Sequence, residues 1–231
     1  MPPRRLSFLC ALALLCVLAS ATAARAQTAT DERAWFVLTL QGPAGADTKW
    51  RWFSDTIFRS REGISELEVF SLRGYATYAL TPRSAVGGGY VYVRGYPTSG
   101  GTLIEHRPFA HYAWTGRTTA GTLTLRTRLE FRFVEGNNRM VTRLRQQVRF
   151  SHPFRQGSRI ALVGYDEIFF HLNESDRNVR GVDQNRAFAG ISDTVNATVR
   201  FEVGYLNQYA PGHGATARMN HVLSGALAIS F

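Results

Sequence analysis

Residues 123–133 read LTLRTRLEFRF, and residues 143–150, one short connection later, read RLRQQVRF. Successive side chains of a β-strand point to opposite faces, so both stretches divide cleanly in two. In 122–133 the even positions are Thr122, Thr124, Arg126, Arg128, Glu130 and Arg132, and the odd ones are Leu123, Leu125, Thr127, Leu129, Phe131 and Phe133. In the next stretch Arg143, Arg145, Gln147 and Arg149 share one face, while Leu144, Gln146, Val148 and Phe150 share the other. Each strand has an ionic side and an apolar side, and one of the two must face outward.

The same rhythm runs through most of the chain. Period-two patterns place strands near 50–60, 66–80, 85–96, 103–115, 122–135, 139–152, 159–172, 185–192, 195–209 and 217–231, with a further candidate at 34–41. No window carries the 3.6-residue apolar stripe of a helix. Short connections at 81–84, 115–121, 153–158 and 192–194 alternate with mostly longer, polar or glycine-rich ones at 97–102, 136–138, 173–184 and 210–216. That alternation puts turns at one end and loops at the other end of an antiparallel meander. The predicted fold is all-β, an antiparallel up-and-down transmembrane β-barrel. Ten strands can be counted from residue 50 and eleven with 34–41; because bacterial barrels have even strand numbers, ten or twelve is the expectation. Three places break the pattern. Asp166 and Glu167 are neighbours, so one points outward unless a bulge intervenes. Pro108 removes a ladder donor inside its strand. The strands at 50–60 and 66–80 mix polar and apolar residues on both faces.

The N-terminus has basic residues at Arg4 and Arg5, an apolar run over 6–18, and the triplet Ala24-Arg25-Ala26 before Gln27. This is the pattern of a secretory signal peptide, giving 1–26 as a removed leader and 27–231 as one barrel domain. Both cysteines, Cys10 and Cys16, fall in the leader, so a mature chain would have no disulfide, zinc–thiolate site or cysteine nucleophile. Leu9 and Leu15 precede them where a lipoprotein signal needs a small residue. The formal charge is +10, of which Arg4, Arg5 and Arg25 supply three units, leaving +7 for the mature chain. Its arginines alternate singly with apolar residues instead of clustering, which argues against nucleic acid as a partner. Lys49 is the single lysine; the excess is therefore guanidinium, whose five donors in a rigid fork suit carboxylate pairing.

Exposing six arginines at the middle of a bilayer would cost about 2–4 kcal/mol each, more in total than the roughly 5–15 kcal/mol that holds a typical domain together. In a membrane the ionic face must line the lumen. In a water-soluble, lipocalin-like periplasmic barrel the faces would be reversed. Two features favour the membrane. The chain ends ALAISF, with Leu223, Leu227, Ile229 and Phe231 on one face, the form of an outer-membrane assembly signal. Aromatic residues also gather near strand ends, at Tyr75, Tyr78, Tyr96, Trp114, Phe150, Phe154, Tyr205 and Tyr209, as in interfacial girdles.

Glu105-His106-Arg107, Arg128-Leu129-Glu130-x-Arg132, Arg143-x-Arg145, Glu167-x-Phe169, Asn185-Arg186, Gly204-Tyr205 and the terminal strand, in this order, resemble the family of bacterial outer-membrane proteins grouped as domain of unknown function 2490. The resemblance spans nearly the whole mature chain. It implies a barrel in the bacterial outer membrane and no particular activity; the partners expected of a chain so placed are outer-membrane lipids, lipopolysaccharide and the barrel-assembly machinery.

Parity gives a candidate lumen set of Glu105, Arg107, Arg126, Arg128, Glu130, Arg132, Arg143, Arg145, Arg149, Glu167, Arg186, Arg200 and Glu202. Barrels of about eight strands are filled by their own side chains, so ten strands with long ionic side chains should be narrow or plugged, and these groups read first as a salt-bridge network bracing the wall. A second reading is a constriction that binds or passes a small anion, since nine bases face four acids. A lipid-modifying enzyme would need a hydroxyl nucleophile, a histidine and an acid together. Ser151-His152 offers adjacent residues that point oppositely, and His171 lies near Glu174 and Ser175 in a polar loop, so no catalytic residue is assigned. His106 and His111 fall on opposite faces and His213 sits in a glycine-rich loop, so neither a metal site nor a cofactor is expected. The loop at 173–184 is polar enough to meet lipopolysaccharide, although hydration alone explains its composition.

Overall fold

A computed structural model describes residues 28–46, 49–175, 178–213 and 216–231; the predicted leader lies outside them. Eleven strands follow one another: β1 (Thr28–Pro43), β2 (Trp50–Arg61), β3 (Glu66–Thr81), β4 (Ser84–Gly95), β5 (Leu103–Thr118), β6 (Gly121–Val134), β7 (Val141–Pro153), β8 (Ile160–His171), β9 (Gly181–Thr194), β10 (Val199–Ala210) and β11 (Ala217–Ser230). Each pairs antiparallel with its neighbours in sequence, and β1 pairs with β11 to close the barrel.

The closing pair is parallel, with Thr28 opposite Ala217 and Gln41 opposite Ser230. In a meander the strand direction reverses at every step, so strands one and eleven run the same way; an odd count therefore requires one parallel seam. The segment at 34–41 is the middle of a longer β1, which makes eleven strands, between the two expected counts. Likewise β9 begins at Gly181 instead of 185, shortening the loop before it. Connections 44–49, 82–83, 119–120, 154–159 and 195–198 lie at one end together with Phe231. Connections 62–65, 96–102, 135–140, 172–180 and 211–216 lie at the other.

Inside and outside follow the parity of the sequence. Arg128 and Glu130 are each 1% exposed, whereas Phe133, Val148, Phe150, Leu162 and Leu223 on the alternate positions are exposed. The ionic face is the inner one. Tyr75 departs from the expected girdle: it stacks on Phe53 at 4.5 Å and meets Phe109 at 5.8 Å inside the barrel. Its girdle placement rests on nearness to a strand end, and its strand, with both faces mixed, gives no sign of which face it takes.

The three irregularities resolve separately. Glu167 is buried, and its neighbour Asp166 accepts hydrogen bonds on both carboxylate oxygens from Asn185 Nδ2, each at 3.0 Å; the adjacent acids sit on opposite faces. At Pro108 the β4 side of the ladder continues, while on the β6 side regular pairing skips from His106–Phe133 to Phe109–Glu130, as the missing donor requires. Register shifts complete the set: one beside the β3–β4 turn between Ala79 and Thr81, and two bulges that each leave an acid unopposed. Arg59 pairs with Val69 and Ser60 with Leu67, which leaves Glu68 without an opposite residue. Phe169 pairs with Gln184 and Phe170 with Val182, which does the same to Asp183.

Apolar as well as ionic side chains are buried inside the barrel. Trp35, Val163, Phe188, Leu206 and Val222 form one buried cluster, and Val91, Val93 and Phe109 another. Phe188 fits because the facing positions of β9 and β10 are glycines: a Cβ on Gly190 or Gly204 would lie 2.6 or 2.7 Å from its Cζ.

Candidate functional site

Strands β5 to β9 supply most of a continuous ionic network. Glu105 on β5 is gripped by two arginines: Arg107 donates from Nε to Oε1 at 2.5 Å and from Nη2 to Oε2 at 2.6 Å, and Arg132 on β6 donates to the same oxygens at 2.5 and 3.2 Å. Glu130 takes Nε and Nη2 of Arg143 on Oε2, at 3.0 and 2.6 Å, and Nη1 of Arg145 on Oε1 at 2.6 Å. Arg145 also reaches Glu167, from Nη2 to both oxygens at 2.9 and 3.0 Å, and Arg126 donates to Glu167 Oε1 at 3.1 Å. Toward the turn end Arg149 makes a two-armed pair with Glu202, and Arg200 lies 3.9 Å from the same carboxylate with nearly half of its side chain exposed. Guanidinium is suited to this because one fork can serve two carboxylates on neighbouring strands.

Parity therefore placed all thirteen predicted residues on the inner face, and the structure joins ten of them in hydrogen-bonded carboxylate pairs. Arg200 lies just beyond hydrogen-bonding distance of Glu202, and Arg128 and Arg186 stand apart. Arg128 Nη1 is 3.8 Å from Glu130 Oε1, and all three of its side-chain nitrogens are buried without a hydrogen-bond partner. Arg186 donates to Gln184 Oε1 at 3.4 Å, and its Nε is buried and unpartnered. Both lie on aromatic rings instead: the Arg128 guanidinium is 4.3 Å from the Phe109 centroid, and that of Arg186 is 4.6 Å from Phe169 and 4.7 Å from Trp35. Arg145 shares Phe169, at 4.4 Å.

The sequence reading missed a second group, mostly from β1 to β3. Arg73 donates from Nε to Asp55 Oδ2 at 2.5 Å, and Thr39 donates to Asp55 Oδ1 at 2.6 Å. Arg33 joins Asp31 at 2.8 Å and Glu68 at 2.6 Å, and Arg61 joins Glu66 at 2.8 Å. Arg59 lies 4.4 Å from the Trp35 centroid, across from no acid, with its Nε buried and unpartnered. Asp183 accepts from Arg143 Nη1 at 3.0 Å and lies 3.5 Å from His171 Nε2. Glu68 and Asp183 are the two bulge residues, so a one-residue slip turns an acid inward at each bulge. The acids thus outnumber those read from parity, yet guanidinium remains in excess.

Within this arrangement the buried glutamates Glu105, Glu130 and Glu167 each hold two arginines, which leaves them no role as a free base. Ser151 and His152 point to opposite faces, and His152 Nδ1 contacts the Ala120 carbonyl at 2.5 Å. Among the described residues, no group of three His, Cys, Asp or Glu is placed to hold a metal ion. At the loop-end mouth a cavity of about 340 Å³ is lined by His171, Asp183, His213, Thr216 and Arg218, among others.

Comparison with known proteins supports the family resemblance. The family model described as Protein of unknown function (DUF2490) matches residues 32–220. A protein of Methylorubrum extorquens, described as uncharacterized, is 31% identical over 216 residues, covering 92% of this chain and 93% of its own length. No solved structure matches the chain. A match over so much of its length makes the chain a member of the DUF2490 family.

Proposed function

We propose that this protein is a bacterial outer-membrane barrel whose lumen is held shut by its arginine–glutamate network, so that it serves as a rigid wall element and not as an open pore. The observation that carries the reading is the sidedness of the strands. Phe133, Phe150, Leu162 and Leu223 are exposed on the outer surface while Arg128, Glu130, Arg143 and Glu167 are buried within. An exposed apolar surface running around a whole barrel has no counterpart in water-soluble monomers, whose patches are far smaller. It suits acyl chains, with lipopolysaccharide and the long loops meeting at one rim. The export leader and the terminal Leu223, Leu227, Ile229 and Phe231 fit delivery to the barrel-assembly machinery. No catalysis is assigned, because the buried carboxylates are engaged by arginine and the one Ser-His pair in the wall is split across its faces.

A second reading, passage of small anions, is favoured by Arg59, Arg128 and Arg186, which lack an acidic hydrogen-bond partner. Planar-bilayer recording of refolded protein separates the two. A closed lumen gives no steady conductance; steady anion-selective steps establish the second reading and overturn the first. A protein that stays monomeric in solution without detergent would overturn both.

A further inference from the structure

We infer that the lumen binds a small inorganic anion, of the size of chloride, between Arg128 and His111. Arg128 on β6 has His111 of β5 directly opposite on one side and Arg145 of β7 directly opposite on the other. Its inward neighbours on its own strand are Arg126 and Glu130. Like charges set opposite each other across a sheet destabilise it, and the single acid in this ring of neighbours is already taken. Glu130 accepts three hydrogen bonds from Arg143 and Arg145, so Arg128 stops 3.8 Å short.

The result is a guanidinium 1% exposed with Nε, Nη1 and Nη2 all unpartnered. An uncompensated buried charge costs several kcal/mol, and the face of Phe109 at 4.3 Å offsets only part of that. His111 Nδ1 is likewise buried and unpartnered, and it too can donate a proton to an anion. Arg73 and Arg126 lie within electrostatic reach of both groups, so the local field favours negative charge after their own acids are counted. The β4 wall beside His111 is Gly87, whose missing Cβ would lie 2.5 Å from the Ala76 carbonyl, 2.9 Å from Thr77 Cγ2 and 3.1 Å from His111 Nε2; only glycine fits this close approach beside the imidazole. As the side chains stand, there is no room for even a water molecule beside the Arg128 nitrogens, so an occupant must be a compact ion that enters by small side-chain shifts, which excludes a nucleotide, a sugar phosphate or a lipid headgroup.

Binding here does not depend on conduction. The test is bromide in place of chloride, in crystals of the detergent-solubilised wild-type barrel and in melting curves at constant ionic strength. An anomalous bromide peak within hydrogen-bonding reach of the Arg128 nitrogens is expected. Its absence overturns the site. In solution, chloride or bromide should raise the melting temperature by about 2–4 °C over gluconate, which is too large to enter, with saturation as concentration rises. Arg128→Met, close in volume and uncharged, should abolish that rise; an equal rise in the variant overturns the assignment to Arg128. The bromide peak needs no variant to fold. A conducting barrel that shows the peak would contradict the closed-lumen proposal alone, and a closed barrel without the peak would contradict the anion site alone.

Discussion

Arg145 on β7 reaches diagonally to Glu167 on β8, two residues from its own ladder partner Phe169, with one guanidinium nitrogen serving both carboxylate oxygens at 2.9 and 3.0 Å. The same arginine crosses to Glu130 on β6 at 2.6 Å, so one side chain ties three consecutive strands. Its fork is 10% exposed, and the two acids 5% and 1%. Interactions this dry are not screened as surface pairs are. Their desolvation has already been incurred, which makes the loss of one member more costly than the pair's net worth.

Arg145→Met should therefore lower the unfolding free energy by about 3–5 kcal/mol, the range seen when one partner of a buried pair is removed. Arg200→Met, at the exposed end of the same inner face and 3.9 Å from Glu202, should change it by less than about 0.5 kcal/mol. Urea titration of both variants in lipid vesicles, followed by tryptophan fluorescence, makes the comparison. Equal effects would mean that the network adds no more inside than at the rim.

The parallel seam allows a direct check on strand number. Ala34 and Leu223 are opposite each other in the β1–β11 ladder, and paired strands lie about 4.8 Å apart, within the Cα separation that a disulfide spans. The chain's own cysteines are Cys10 and Cys16 alone, so a cleaved chain carrying Ala34→Cys and Leu223→Cys has one possible intramolecular bridge. Oxidation should close it and change the mobility of the denatured protein on a gel. The antiparallel control, Leu129→Cys with Leu144→Cys, should also bridge. A control that closes while the seam pair stays reduced would leave β1 outside the barrel and the count at ten.

Leu129 lies near the middle of β6 on the outer face, opposite Leu144. Placed against acyl chains, Leu129→Arg should cost about 2–4 kcal/mol in phospholipid vesicles. On a water-facing surface the same change would fall within about 0.5 kcal/mol. The urea midpoint in vesicles distinguishes the two environments without reference to any activity.

Most of the barrel was legible because β6 and β7 alternate clearly and most other strands keep enough of the same rhythm, and alternation is the one signal that both a lumen and a lipid belt impose on a strand. Arg128, Glu130, Arg143 and Arg145 could be assigned to one inner face because the ionic positions are distinct on both strands, even-numbered on β6 and odd-numbered on β7. Two kinds of feature escaped. Glu68 and Asp183 reach the lumen through bulges, and a bulge shifts parity by one residue without leaving a mark in the hydrophobic pattern. Asp55, Arg59, Arg73 and Tyr75 sit on strands whose outer faces carry Ser54, Thr56, Gly74 and Ala76, so the contrast between faces is too weak to show which is which. The odd strand number was hidden for a different reason: closure is a relation between β1 and β11, 189 residues apart at Gln41 and Ser230, and no local pattern reports it.

Phe231 follows the last strand at the turn end, 73% exposed, with its ring 6.1 Å from Trp52 and nearly parallel to it. Its backbone N–H donates to the Gln41 carbonyl at 2.9 Å, so it extends the seam by one residue but buries little. Removing it should therefore cost the folded barrel less than about 1 kcal/mol, the scale of one net hydrogen bond. The proposal that it belongs to an assembly signal predicts a much larger effect on delivery. Deleting Phe231 should sharply reduce the heat-modifiable barrel recovered from outer membranes of expressing cells, while purified variant refolded in detergent reaches nearly wild-type yield and stability. A parallel loss in both measurements would assign Phe231 to the fold itself, and no loss in either would remove it from the delivery signal.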